Sequence, residues 1–128
     1  MITEDYVSFE TAKLLKEKGF NWDCQYCYID EEDSDKDILE IPIGYDGEID
    51  APTLQMTMKW LREKYNICIT IYPDKENGYE AVLYDTKDNV EIILQSFGVY
   101  GSHIFGGSYE EACEEAIKYC LENLIWLY

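Results

Sequence analysis

One motif in the chain has a recognised chemistry, the cysteine pair of Cys24-Gln25-Tyr26-Cys27. Two thiols at this spacing can chelate a metal ion or cycle between thiol and disulfide. A structural zinc site needs two further ligands, and the candidates are Cys68, His103, Cys113 and Cys120. Cys113 and Cys120 share one predicted helix and lie roughly 10 Å apart by helical rise, too far to ligate one ion together.

The surroundings of this pair disfavour a redox role. A redox pair usually lies between a strand and the start of a helix, where the helix dipole stabilises the thiolate. Cys24 and Cys27 instead follow a predicted helix and precede an acidic run, which raises a thiol pKa. Free cysteine also packs readily as a small hydrophobe. We therefore predict structural thiols and no cofactor, with metal binding by Cys24 and Cys27 as the alternative.

No catalytic motif surrounds the single histidine, His103. The chain contains no Gly-x-Ser-x-Gly elbow, no phosphate-binding Walker loop and no His-Glu-x-x-His helix. One histidine leaves little for acid–base catalysis, so the sequence predicts a protein that is not an enzyme.

The charge of the chain excludes one class of partner. Its 128 residues include 27 acidic and 10 basic side chains, a formal net charge of −17. So few cations cannot form a dominant positive field, and we predict no direct binding to nucleic acid. The hydrophobic fraction of 47% and the aromatic fraction of 15% suffice for a core and exclude wholesale disorder.

The acidic residues concentrate in one segment. Residues 21–50 hold 11 acids and one base, Lys36. The densest run, Asp30 to Asp37, cannot belong to a core, so we predict an acidic, solvated loop at about residues 30–50. The length otherwise fits one domain over residues 1–128.

Targeting signals are not apparent. The start, Met1 to Tyr6, lacks the basic region and the apolar stretch of a signal peptide. No stretch approaches the roughly 18 apolar residues of a transmembrane helix, so no membrane association is expected. Five cysteines cannot all pair within one chain, and reduced thiols predict a cytoplasmic protein.

Three helices are predicted from their end signals. Ser8 can cap a helix over residues 9–18, and a second helix runs over about residues 52–64, capped by Asp50 or Thr53. Ser108 and Glu111 form a capping box that begins the third helix. The apolar face of that helix is predicted to contain Ala112, Cys113, Ala116, Ile117, Cys120, Leu121 and Leu124.

The middle of the chain predicts antiparallel strands. Residues 67–72 are mostly β-branched, and Pro73 is expected to end that strand. Residues 79–84 and 90–94 form the next two strands, and residues 97–105 form a fourth strand or an ordered loop. The prediction is a single α+β domain, an antiparallel sheet of three to four strands packed against two or three helices in the order α-α-β-β-β-α.

Aromatic residues exceed what one small core needs, with twelve tyrosines and three tryptophans. Trp60 lies off the predicted buried stripe of its helix, and Trp126 and Tyr128 extend past the last helix. Either these three side chains cap the core or they form a protein contact surface, for which a homodimer seam is one arrangement.

Three stretches of the chain carry a resemblance, namely Val7 to Phe20, Ala51 to Glu63 and Ser108 to Glu122. Together they resemble a group of small uncharacterised proteins of gut bacteria and their phages or mobile elements. The resemblance is weakest over residues 25–50 and implies no activity or catalytic residue. The order helix, three strands, helix also resembles double-stranded-RNA-binding domains, and the last helix resembles that of HicB-type antitoxins. Neither likeness decides a function.

Two classes of function remain open from sequence. The first is a non-enzymatic acidic protein that binds a protein partner, of phage or mobile-element origin. In a sharper form, its acidic face imitates DNA and occupies a nucleic-acid-binding protein. The second is a small structural-metal or thiol protein built on Cys24 and Cys27.

Overall fold

The computed structural model describes residues 5–29, 48–92, 94 and 103–125 of the chain. In chain order the elements are α1 (Phe9–Glu17), β1 (Tyr26–Ile29), β2 (Glu48–Ala51), α2 (Leu54–Tyr65), β3 (Ile67–Asp74), β4 (Gly78–Asp85), β5 (Val90–Glu91), β6 (Ile104–Gly106) and α3 (Tyr109–Asn123). Most of the predicted acidic loop, residues 30–47, lies outside the described residues. The last three positions of that prediction, residues 48–50, belong to strand β2.

The predicted α+β fold is confirmed. Strand β4 lies at the centre of a four-stranded antiparallel sheet, with β3 on one side and both β5 and β6 on the other. Strands β5 and β6 pair with different halves of β4, so together they occupy the place of one third strand. A separate antiparallel pair, β1 and β2, was not predicted.

Local capping explains why the three helices begin where they do. Ser8, Thr53 and Ser108 each accept a hydrogen bond from the backbone N–H three residues further on. The caps Ser8 and Ser108 were predicted, and Thr53 settles the choice between two candidates. Helix α2 ends at Asn66, which adopts a left-handed φ of 59°.

The core lies between the four-stranded sheet and the helices. Six of the seven apolar residues predicted for α3 are buried, and the seventh, Leu124, is partly buried. They pack against the buried side chains of one sheet face, which come from Ile67, Ile69, Ala81, Leu83 and Ile104. The opposite face of the sheet therefore carries the even-numbered side chains of β3 and β4.

Strand β3 continues through Pro73, so the predicted end at Tyr72 is wrong. Backbone groups alternate in direction along a strand, and the carbonyl of Leu83 accepts the N–H of Ile92, 2.8 Å away, on the β5 side. The backbone N–H and C=O groups of the odd-numbered β4 residues thus point towards β5 and β6. Because Thr70 pairs with Val82, the backbone groups of the odd-numbered β3 residues point away from β4. Pro73 is tolerated because its nitrogen faces the open edge.

The Glu114 carboxylate joins the first and last helices. Glu114 on α3 accepts the Ser8 backbone N–H at 2.9 Å and the Thr11 hydroxyl at 2.7 Å, both through Oε1. Thr11 is fully buried, and this bond satisfies its hydroxyl. The carboxylate also lies at the N-terminus of α1, where the helix dipole favours negative charge. Among the described residues, no helix combines the length and apolar character needed to cross a membrane.

Removing the Glu114 carboxylate tests this connection. We expect Glu114→Ala to lower the free energy of unfolding by about 1.5–3 kcal/mol, because the buried Thr11 hydroxyl and the first turn of α1 lose a charged partner. The exposed Glu122→Ala on the same helix should change it by less than about 0.5 kcal/mol. Urea unfolding of both variants measures the difference, and equal effects would contradict the assignment.

Candidate interaction surfaces

The predicted metal pair lies at the start of the small β1–β2 sheet. Cys27 is buried in β1 opposite Asp50, and Cys24 is half-buried just before the strand, with its thiol donating to the Trp22 carbonyl at 3.4 Å. None of the five cysteines forms a disulfide. In the described part of the chain, no group of three or more His, Cys, Asp or Glu residues could hold a metal ion. The described residues thus offer the pair no third ligand.

Burial keeps three of the thiols protonated. Desolvation raises the pKa of Cys24 to about 12, and the charges of Asp50 and Asp23 add to this effect. Desolvation likewise raises the pKa of Cys113 to about 11 and that of Cys120 to about 12. Thiolate is the form that attacks electrophiles and binds metals, so these side chains are poorly suited to either chemistry.

Trp60 is fully buried, which corrects its prediction as an interaction-surface residue. Its ring makes edge-to-face contacts with Phe20 at 5.3 Å and Tyr65 at 5.2 Å, and the Lys64 ammonium lies 5.5 Å from its centroid. Phe20 arrives from the segment after α1 and covers the second face of α2, which periodicity within α2 alone could not reveal. The indole Nε1 has no hydrogen-bond partner among the described residues. Trp126 and Tyr128 lie outside them.

On one long side of the sheet, none of the described strands pairs with the outer side of β3, and we call this side the β3 edge. The outward backbone groups are the N–H and C=O of Ile67, Ile69 and Ile71 and the C=O of Pro73. Within the described chain, no backbone hydrogen bond reaches them. No charged side chain lies between Ile67 and Tyr72, although 29% of the chain is charged. Natural proteins usually guard such an edge with charge, so this edge is suited to strand pairing.

Two tyrosines beside the β3 edge share a hydrogen bond. The Tyr72 hydroxyl pairs with that of Tyr84, and this bond is the main reason that the pKa of Tyr84 is raised. Tyr72 is 45% exposed on the sheet face opposite the helices. An exposed aromatic ring on the edge strand extends the contact area that a partner would meet.

On the other edge of the sheet, strand β6 and helix α3 form a groove, which we call the β6–α3 groove. Its volume is about 410 Å³, and it is lined by His103, Ile104, Phe105, Glu115, Lys118, Tyr119 and Glu122. Ile104 and Gly106 pair with the odd-numbered β4 residues Ala81 and Tyr79, so the N–H and C=O of Phe105 point away from β4. A Cβ on Gly106 would lie 2.3 Å from the Ala112 nitrogen, so glycine is required for the close approach of α3 to β6.

His103 lies at one end of this groove. Its Nδ1 lies 2.6 Å from Glu80 Oε1, and its ring stacks on Phe105 at 5.5 Å. A second cavity of about 200 Å³ lies beside β4 and the end of β5, and His103 also lines it. The histidine is 55% exposed and directly precedes β6. Its contact with Glu80 connects the residue before β6 to β4.

Comparisons with known protein families, curated proteins and solved structures give no match for this chain. We therefore infer a function from the geometry of the described residues.

Replacing Trp60 tests its place in the core. We expect Trp60→Ala to lower the free energy of unfolding by about 3–5 kcal/mol, because it leaves a large cavity among Phe20 and Tyr65. Val90, which is 53% exposed, supplies the control, and Val90→Ala should cost less than about 0.5 kcal/mol. A similarly small loss for Trp60→Ala in thermal or urea unfolding would contradict its burial.

The raised thiol pKa values predict a loss of stability at alkaline pH. Unfolded cysteine loses its proton near pH 9, whereas folded Cys24 and Cys120 hold theirs to about pH 12. Their contribution to stability is therefore complete below pH 9 and decreases as pH rises towards 12. A Cys24→Ser, Cys120→Ala variant should show a shallower decrease in the urea midpoint between pH 8 and 11 than the natural sequence. Parallel curves would contradict this prediction.

Proposed function

We propose that this chain is a non-enzymatic protein-interaction protein that binds a partner by strand addition. The β3 edge, which no other described strand occupies, is the observation that supports the proposal, because it has no charged side chain from Ile67 to Pro73 and three residues whose N–H and C=O both point outward. In strand addition, main-chain hydrogen bonds supply much of the affinity and alternate side chains supply specificity. Tyr72 adds an exposed aromatic contact next to that edge.

The net charge of −17 supports the same proposal. A surplus of acid keeps a protein with an unguarded strand soluble, and it speeds the encounter with a partner that presents basic residues. Protonated thiols at Cys24, Cys113 and Cys120 also favour a role other than thiol catalysis. The absence of disulfides among the five cysteines fits a reducing compartment, so we propose that the interaction occurs in the cytoplasm.

Amide hydrogen exchange tests the state of the β3 edge. In the free protein at low concentration, we expect the outward amides of Ile69 and Ile71 to exchange rapidly and those of Thr70 and Tyr72 to be protected by β4. A bound partner should then protect Ile69 and Ile71. Protection that grows with protein concentration would identify the partner strand as a second copy of the chain. Protection of both outward amides in the dilute free protein would contradict an open edge.

A charge placed on the edge strand should block partner binding. Tyr72→Lys introduces the lysine with which natural edges are guarded, and Val90→Lys makes the same change of charge on β5. We expect capture of a partner from cell lysate, quantified by mass spectrometry, to decrease about tenfold with Tyr72→Lys and to persist with Val90→Lys. Equal capture by both variants, with both folded by circular dichroism, would rule out the β3 edge as the binding surface.

A further inference from the structure

The two open sides of the sheet differ in chemistry. The β3 edge has no charged side chain from Ile67 to Pro73, whereas the β6–α3 groove combines a strand edge that no other described strand occupies with acidic side chains on α3. We infer that the β6–α3 groove binds an extended protein segment carrying lysine or arginine side chains, which pairs with β6 as an added strand. This site is distinct from the β3 edge and does not depend on the partner proposed there.

The backbone of β6 supplies the pairing groups. The N–H and C=O of Phe105 point away from β4, and Phe105 itself lines the groove. Just after the strand, the Gly107 N–H donates to Glu111 Oε2 at 2.9 Å, a local contact at the start of α3. An extended chain lying along the outer side of β6 can therefore exchange two hydrogen bonds with Phe105, the pattern of strand addition.

The helix wall of the groove selects positive charge. Glu115 and Glu122 are exposed and lie two turns apart on the face of α3 that lines the groove. Between them Lys118 already places an ammonium in the groove, bonded to Glu10 at 3.4 Å. Burial alone would lower the pKa of Lys118, but the Glu10 hydrogen bond and the charges of Glu115, Glu10 and Glu122 raise it overall. Three carboxylates thus surround one ammonium, and the site retains surplus negative charge for a second cation.

Aromatic rings complete the contact with a basic segment. Phe105 and Tyr119 line the groove beside the two glutamates. Lysine and arginine side chains place their apolar stems on such rings while their charged ends reach the carboxylates. An acidic segment would meet repulsion from Glu115 and Glu122. A second copy of this acidic chain is disfavoured for the same reason, so charge complementarity points to a basic segment of another protein.

The probe for this site is the peptide Lys-Thr-Lys-Val-Lys-Thr-Lys, which can extend with its lysines on one side. Titrated into ¹⁵N-labelled full-length protein at low salt, it should shift the Phe105 amide and slow its hydrogen exchange. Binding should weaken as salt increases. A Glu115→Gln, Glu122→Gln variant should bind about tenfold more weakly, because it removes both groove charges. The control variant Glu63→Gln, Glu76→Gln makes the same charge change at exposed sites outside the groove lining and should bind normally.

Three outcomes would overturn the inference. They are an absence of binding, equal weakening by the groove and control variants, or binding without a shift of Phe105. Shifts at Ile69 and Ile71 instead of Phe105 would move the peptide to the β3 edge, which refutes the groove and supports strand addition there. Conversely, normal peptide binding by Tyr72→Lys supports a separate groove. Urea unfolding midpoints confirm that each variant is folded.

Discussion

The direction of the backbone groups along β4 is the constraint on which both candidate surfaces depend. The N–H and C=O groups of its odd-numbered residues point towards β5 and β6, and those of its even-numbered residues point towards β3. Because the direction alternates without exception along a regular strand, it also fixes which groups of β3 and β6 point outward. Shifting the register by one residue would turn the Ile67 and Ile69 side chains from the core to the solvent. The core that holds the register thereby determines where another chain can pair.

Helix α3 couples the core to one of these surfaces. One face buries its apolar residues against the sheet, and a neighbouring face presents Glu115 and Glu122 beside β6. Its first turns pack on Gly106 without room for a side chain, and its Glu114 holds the start of α1. A helix fixed at these points gives the groove a rigid wall, so a bound segment would pay little to order the site.

Of the described residues predicted to bind a metal or a partner, Cys27 and Trp60 are buried and Cys24 is half-buried. Cys27 lies in β1 and Cys24 just before it, without a third metal ligand in the described chain, and Trp60 lies between Phe20 and Tyr65. Thiols and aromatic rings are chemically versatile but also apolar, and burial favours their apolar character. The proposed interactions depend on less conspicuous residues, namely the β-branched residues of β3, Phe105 in β6, and Glu115 and Glu122 on α3.

Features that depend on neighbours along the chain could be predicted from the sequence. The caps Ser8 and Ser108, the buried face of α3 and the order of the main elements follow from hydrogen bonds and periodicities that span a few residues. Features that join distant segments could not be predicted and emerge only from the fold. Pairing of β1 with β2, burial of Trp60 by Phe20 and continuation of β3 through Pro73 each depend on a partner elsewhere in the chain. The β3 edge and the β6–α3 groove belong to this second class, because strand order, not local propensity, decides which backbone groups stay unpaired.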